Sequence, residues 1–178
     1  LYKRIVDEML VELNLLNHQN EFLQDNLFCI GLTETFKELT MGYKPDEHLM
    51  LLFESLCNSS NFDPSKIKEI SNKTLEEYKE KSLREISNLL IEKSSSNLYS
   101  SRLLNLGIYL IISNATDFKD IKDSEKNKTI SDIFDKLNLS FNKAEKDIGI
   151  YKNILIRMEQ AKELLQEARI KATKEKKK

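Results

Sequence analysis

With 178 residues, 40% of them hydrophobic, the chain is long enough for one domain with a substantial core and is not a disordered polymer. Four Gly and two Pro are too few turn-makers for a many-stranded sandwich, so composition points to an all-α fold. The formal net charge of −1 hides an asymmetry, because residues 169–178 carry plus five and the remainder minus six; the body offers no footing for nucleic acid, and the end is a basic tail.

In chain order, Ile5, Val6, Met9, Leu10, Leu13 and Leu16 recur at helical spacing. Val11 and Leu15 widen the apolar face until little is left for water, so a central helix is expected, ending near His18. Asp25 is placed to cap a second helix that carries Leu27, Phe28, Ile30, Leu32, Phe36 and Leu39 as far as Met41, with Gly42 ending it. Gly31 in its middle costs about 1 kcal/mol relative to Ala and marks a close approach of another helix. Lys44, Pro45, Asp46 and Glu47 open a third helix with Leu49, Leu52, Phe53 and Leu56, since Pro and acids suit a first turn. After a loop over 58–63, Asp63-Pro64 starts a short fourth helix with Ile67 and Ile70.

Residues 74–93 are again helical in period, and Ser82 with Glu85 forms a capping box that splits them. A second strongly apolar helix covers 99–112, where LLNLGI echoes LFCIGL with Gly107 in the place of Gly31. Two independently packed helices explain a six-residue echo better than a duplication does. The stretch 114–127 reads as a solvated loop and 129–137 as a short helix. From 140 to about 174 one helix of roughly 50 Å is expected. Tyr151, Ile154, Met158, Ala161, Leu165, Ala168 and Ala172 alternate three and four apart along it, a coiled-coil seam of about three heptads.

The expected architecture is therefore an all-α single bundle of seven to nine helices. Residues 1–139 form the globular part. Residues 140–178 form a long helix that begins on the body and then projects, seam at 151–172 and basic tail at 169–178. The first residue is Leu, not Met, which points to a fragment or processed form whose N-terminus is missing. The longest uncharged apolar run, 103–112, falls far short of the roughly 20 residues needed to cross a bilayer.

Chemistry is hard to find. His18 and His48 lack partners at metal-ligand spacing, and there is no GxGxxG, Walker loop or GxSxG elbow. Cys29 and Cys57 sit among apolar neighbours without CxxC spacing and read as buried small hydrophobes. Arg4, Asp7, Glu8 and Glu12 fall within two turns of one helix; the carboxylates at 8 and 12 resemble an acid/base pair, but a salt-bridged helix face is the better reading.

The segments YKRIVDEMLVELNLLNHQ, DNLFCIGLTETFKELTMGYKPDEH and LFESLCNSSNFDPSKIKEIS, followed more weakly by SRLLNLGIYLII and EKDIGIYKNILIRMEQAKELLQEA, resemble the thylakoid formation protein family, the photosystem II biogenesis protein family of cyanobacteria and chloroplasts. Arg4, Asp7, Glu8, Glu12, Asp25, Gly31, Gly42 and Tyr43 fall on its most recognisable segments and are candidate interaction residues, with no catalytic role assigned. The resemblance implies a non-enzymatic factor for photosystem II biogenesis, repair and thylakoid organisation, peripheral to the thylakoid membrane on its cytoplasmic or stromal side. It also implies work with photosystem II assembly or repair proteins and the thylakoid membrane metalloprotease; from the residues themselves no metal or cofactor is expected. The alternative reading is a pigment- or small-ligand-binding helical protein, with an apolar cavity beside the Gly31 and Gly107 helices that would take chlorophyll.

Overall fold

The computed structural model describes residues 2–94 and 97–175, without the side chains of Leu165 and of residues 169–175. Among the described residues there are eight α-helices and no strand: α1 (Tyr2–Asn17), α2 (Asn26–Leu39), α3 (Glu47–Ser59), α4 (Pro64–Tyr78), α5 (Leu83–Lys93), α6 (Arg102–Ser113), α7 (Asp123–Lys136) and α8 (Phe141–Glu175). A short 3-10 turn, Phe118–Asp120, precedes α7. The all-helical class, the helix number and the long C-terminal helix agree with the sequence.

The bundle is centred on α2 and α6, which make its most extensive helix contact. Both are buried nearly all round, as helices with so few polar positions must be. Their axes approach closely because each brings a glycine to the crossing. A Cβ on Gly31 would collide with the Leu103 carbonyl and come 3.1 Å from the Gly107 nitrogen; one on Gly107 would collide with the Leu27 carbonyl. Backbone rests on backbone here, which is where glycine's missing Cβ is used. No gap is left at the crossing itself.

The core extends through Phe28, Ile30, Leu32, Leu104, Ile108 and Phe134, all at most 1% exposed. Each such side chain contributes roughly 1.5–3 kcal/mol by burial. Phe22, Phe28 and Phe62 close one end as an aromatic cluster, with ring centroids 4.9 to 6.0 Å apart.

Helix starts follow local capping chemistry. Asp25 accepts from the Phe28 N–H at 2.8 Å, Asp63 from Ser65 and Lys66, and Ser101 from Leu104. The Ser82–Glu85 capping box is present, with the Ser82 N–H donating to Glu85 at 2.9 Å. The 74–78 segment, however, continues α4 and is not a part of the helix that follows.

Several expectations need correction. Helix α1 is not central: Ile5, Met9, Leu13 and Leu16 form one buried stripe, whereas Val11 and Leu15 are 59% and 61% exposed. Pro45 lies outside α3, which starts two residues later at Glu47. The supposed solvated loop at 114–127 holds buried Ala115 and Phe118, and α7 starts within it at Asp123. Acidic Asp123 and Glu125 favour that start by complementing the helix dipole, a signal that apolar periodicity does not carry. Asp117 from the same stretch accepts the Leu83 N–H at 2.8 Å, so it secures α5.

Helix α8 lies along the body over its first half. Ala144, Ile148, Tyr151 and Met158 are buried, and Ile154 and Ala161 are half-buried. From Glu163 onward the described side chains are exposed, Leu164 at 67%. The first three seam positions, Tyr151, Ile154 and Met158, thus pack on this chain's own core. Ala168 is exposed, and the side chains of Leu165, Ala172 and the basic tail lie outside the described residues.

Candidate functional site

Helix α1 joins the body through one apolar stripe and polar fastenings at both ends. At its start, the Tyr2 hydroxyl donates to the Met41 carbonyl at 3.1 Å, and the Tyr2 and Tyr43 rings meet edge to face at 5.4 Å. Gly42, between them, has φ +86°, a left-handed conformation that glycine takes without strain. A Cβ there would lie in ordinary contact with the Tyr2 hydroxyl, 3.4 Å away, so the backbone conformation and not space favours glycine. Gly42 and Tyr43 thus form the seat for the N-terminal end of α1.

Further along, Glu12 reaches across to the first turn of α6. Its Oε2 accepts from Arg102 at 2.7 Å and its Oε1 accepts the Leu103 N–H at 3.2 Å. A carboxylate here satisfies an otherwise orphaned amide and meets the positive end of the helix dipole. Burial pushes the Glu12 carboxyl above its ordinary range, while Arg102 and the Leu103 N–H pull it down. Nearby, fully buried Asn105 donates to Asp147 of α8 at 2.8 Å, which ties α6 to α8.

Between these fastenings the outer side of α1 faces water. Arg4 and Glu8 pair at 2.8 Å, one turn apart, and Asp7 is exposed. Val11 and Leu15 continue the same side as an apolar ridge. Together with Lys3, Asp7, Glu12 and Arg102 they line an open groove of about 700 Å³. A pair of large aliphatic side chains is thus left uncovered, framed by the Arg4–Glu8 and Glu12–Arg102 ion pairs.

The structure therefore divides the eight family-segment residues. Arg4, Asp7, Glu8 and Glu12 gather at the groove, whereas Gly42 and Tyr43 seat α1. Asp25 caps α2, its carboxyl raised by burial against the pull of the Phe28 and Leu27 amides, and Gly31 makes the α2–α6 crossing. The acid/base pairing of Glu8 with Glu12 does not form, because each is engaged by a different arginine. Arg102 was not singled out from sequence. Its partner is 90 residues away, and only the excess apolar width of α1 hinted that part of the helix stays uncovered.

Tyr151 donates its hydroxyl to Glu38 of α2 and stands edge-on to Tyr109, while Lys152 lies 4.9 Å over the Tyr109 ring. Burial, followed by Glu38, pushes the Tyr151 phenol well above its usual range. Burial likewise pushes the Cys29 and Cys57 thiols up to about 12, and both are free cysteines. His18 donates to the Asn14 carbonyl at 2.7 Å. Among the described residues no group of three or more His, Cys, Asp or Glu is placed to hold a metal ion, and no helix is long and apolar enough to cross a membrane.

Comparison with known proteins gives concordant matches. The family model described as "Thylakoid formation protein" matches residues 1–178. The chain is 82% identical over 178 residues to Protein Thf1 of Prochlorococcus marinus subsp. pastoris, covering 100% of this chain and 88% of that protein. It is 36% identical over 168 residues to Protein Thf1 of Parasynechococcus marenigrum, covering 94% and 78%. Among solved structures, one of Psb29 superposes with a TM-score of 0.82 at 24% identity, covering 100% of this chain and 90% of that one, and shows the same fold.

Proposed function

The chain belongs to the thylakoid formation protein family, and from that premise we propose that it serves photosystem II biogenesis and repair and thylakoid organisation as a non-enzymatic factor. It works by protein–protein contacts at the periphery of the thylakoid membrane, on the cytoplasmic or stromal side. Its partners are photosystem II assembly or repair proteins and the thylakoid membrane metalloprotease.

The observation that carries this reading is the α1 ridge. Val11 and Leu15 stand exposed within a segment whose neighbours Arg4, Asp7, Glu8 and Glu12 are engaged in fastening or framing it. A buried stripe on one side and an apolar ridge on the other suit a helix that joins two bodies: its own bundle and a partner. Binding energy there would come from the two aliphatic side chains, with the ion pairs setting register.

The test is genetic. In a strain lacking the gene, recovery of photosystem II after strong light is expected to slow and the thylakoid metalloprotease to fall in amount or activity. Recovery and protease at normal levels would overturn the proposal.

A further inference from the structure

A second depression lies on the other flank of α1, between that helix and α8. It is about 290 Å³ in volume, lined by Ile5, Ile150, Ile154, Asn153, Arg4 and Arg157, with Glu8 also on its wall. That volume is at the lower edge of the roughly 300–1,000 Å³ typical of small-molecule sites, enough for one slender apolar segment and too little for a large planar ring. Its floor is graded in depth: Ile5 is buried, Ile154 half-buried, and Ile150 stands 51% exposed at the mouth. The rim carries two guanidiniums and one carboxylate.

The charges are not matched within the cleft. Arg4 engages Glu8 through Nε at 2.8 Å, with its side chain 83% exposed, so the guanidinium stays accessible to a further acceptor. Arg157 makes no ion pair among the described residues, and Asn153 stands exposed beside it one turn earlier. Guanidinium forks fit phosphate oxygens in pairs, a geometry that an ammonium group lacks. A free anion would use these groups but not the isoleucines; a plain hydrocarbon would use the isoleucines but not the arginines.

We propose that the cleft between α1 and α8 binds an anionic membrane lipid, its phosphate held by Arg4 and Arg157 and the start of one acyl chain lying on Ile5, Ile150 and Ile154. Attraction of the two arginines to an anionic surface brings the site to the membrane, and burial of methylenes on the isoleucine floor retains the lipid. The inference does not rest on the partner ridge, because Val11 and Leu15 line the neighbouring groove and not this cleft. Loss of one activity without the other is therefore expected from the matching variants.

The experiment titrates monomeric dihexanoylphosphatidylglycerol into the full chain and follows isoleucine methyl resonances. The expected result is a shift confined to Ile5, Ile150 and Ile154, with Arg157→Glu and Ile150→Asn each weakening the affinity about tenfold or more. Both side chains are exposed, so melting of these variants is expected to match the parent protein. Lys128→Glu, which reverses a charge on the exposed side of α7, is expected to change the affinity by about twofold at most. Three results would each overturn the proposal: inorganic phosphate shifting the same methyls equally, which makes the cleft a bare anion site; dihexanoylphosphatidylcholine binding as tightly, which removes the head-group claim; or Lys128→Glu weakening binding as much as Arg157→Glu, which reduces it to diffuse attraction.

Discussion

The α2–α6 crossing and helix α1 solve opposite problems with similarly apolar sequences. At the crossing, Gly31 and Gly107 let two backbones touch, and every large side chain around them is covered. On α1, one stripe is buried and a second pair of aliphatic side chains is left in water between polar fastenings. The first arrangement supplies stability. The second leaves part of an apolar face uncovered, and the lesson is that the width of such a face does not say how much of it the fold will bury.

The largest effect that would break this contrast is expected at the crossing. Gly31→Leu must place a side chain where the Leu103 carbonyl already sits, and backbone cannot yield as a flexible side chain does. A loss of about 3 kcal/mol is expected, at the upper end of overpacking effects, read as a lowered thermal midpoint. Unchanged melting would mean that the helices do not approach as described.

Next is the fastening of α1. Glu12→Ala leaves Arg102 and the Leu103 N–H without their acceptor and should cost about 1–3 kcal/mol in denaturant unfolding. Glu12→Gln gives the pH signature. Folding raises the pKa of this acid above 4.5, so the folded chain takes up the proton before the unfolded chain does. The resulting stabilisation is full below 4.5 and is lost as pH rises through the folded value. The parent protein should therefore gain stability relative to Glu12→Gln as pH falls from neutral toward 4.5, and a difference independent of pH would place Glu12 in water.

A smaller effect of opposite sign is expected on α8. A Cβ at Gly149 meets nothing within 4 Å, so Gly149→Ala should stabilise by about 0.5–1 kcal/mol, by helix propensity and reduced freedom of the unfolded chain. The same change at Gly107 should destabilise. Two glycines in helices of one protein would then respond with opposite signs, and a uniform response would blunt the comparison.

These particulars also show what was readable in the sequence. The paired LFCIGL and LLNLGI segments, the Asp25 cap and the Ser82–Glu85 box are local signals, and each became the feature that its spacing implied. Helix α1 was readable as a helix but not in its placement. Periodicity gives the width of an apolar face, and nothing local tells which part of that face the fold will cover. The Glu12–Arg102 pair and the Asn105–Asp147 bond join positions 90 and 42 residues apart, beyond any spacing rule. The seam on α8 is ambiguous for the same reason: threes and fours mark a packed stripe, and over its first part Tyr151 and Met158 pack on their own chain.

The central claim is that α1 is fastened by one side and recognises with the other. Val11→Asp with Leu15→Asp tests it most directly, in one sample measured two ways. Both positions are more than half exposed, so the double variant should unfold within about 0.5 kcal/mol of the parent protein. As bait with solubilised thylakoids, the parent protein is expected to retain photosystem II assembly proteins and the metalloprotease, and the double variant to lose them. Undiminished capture of both by the folded variant would contradict the account.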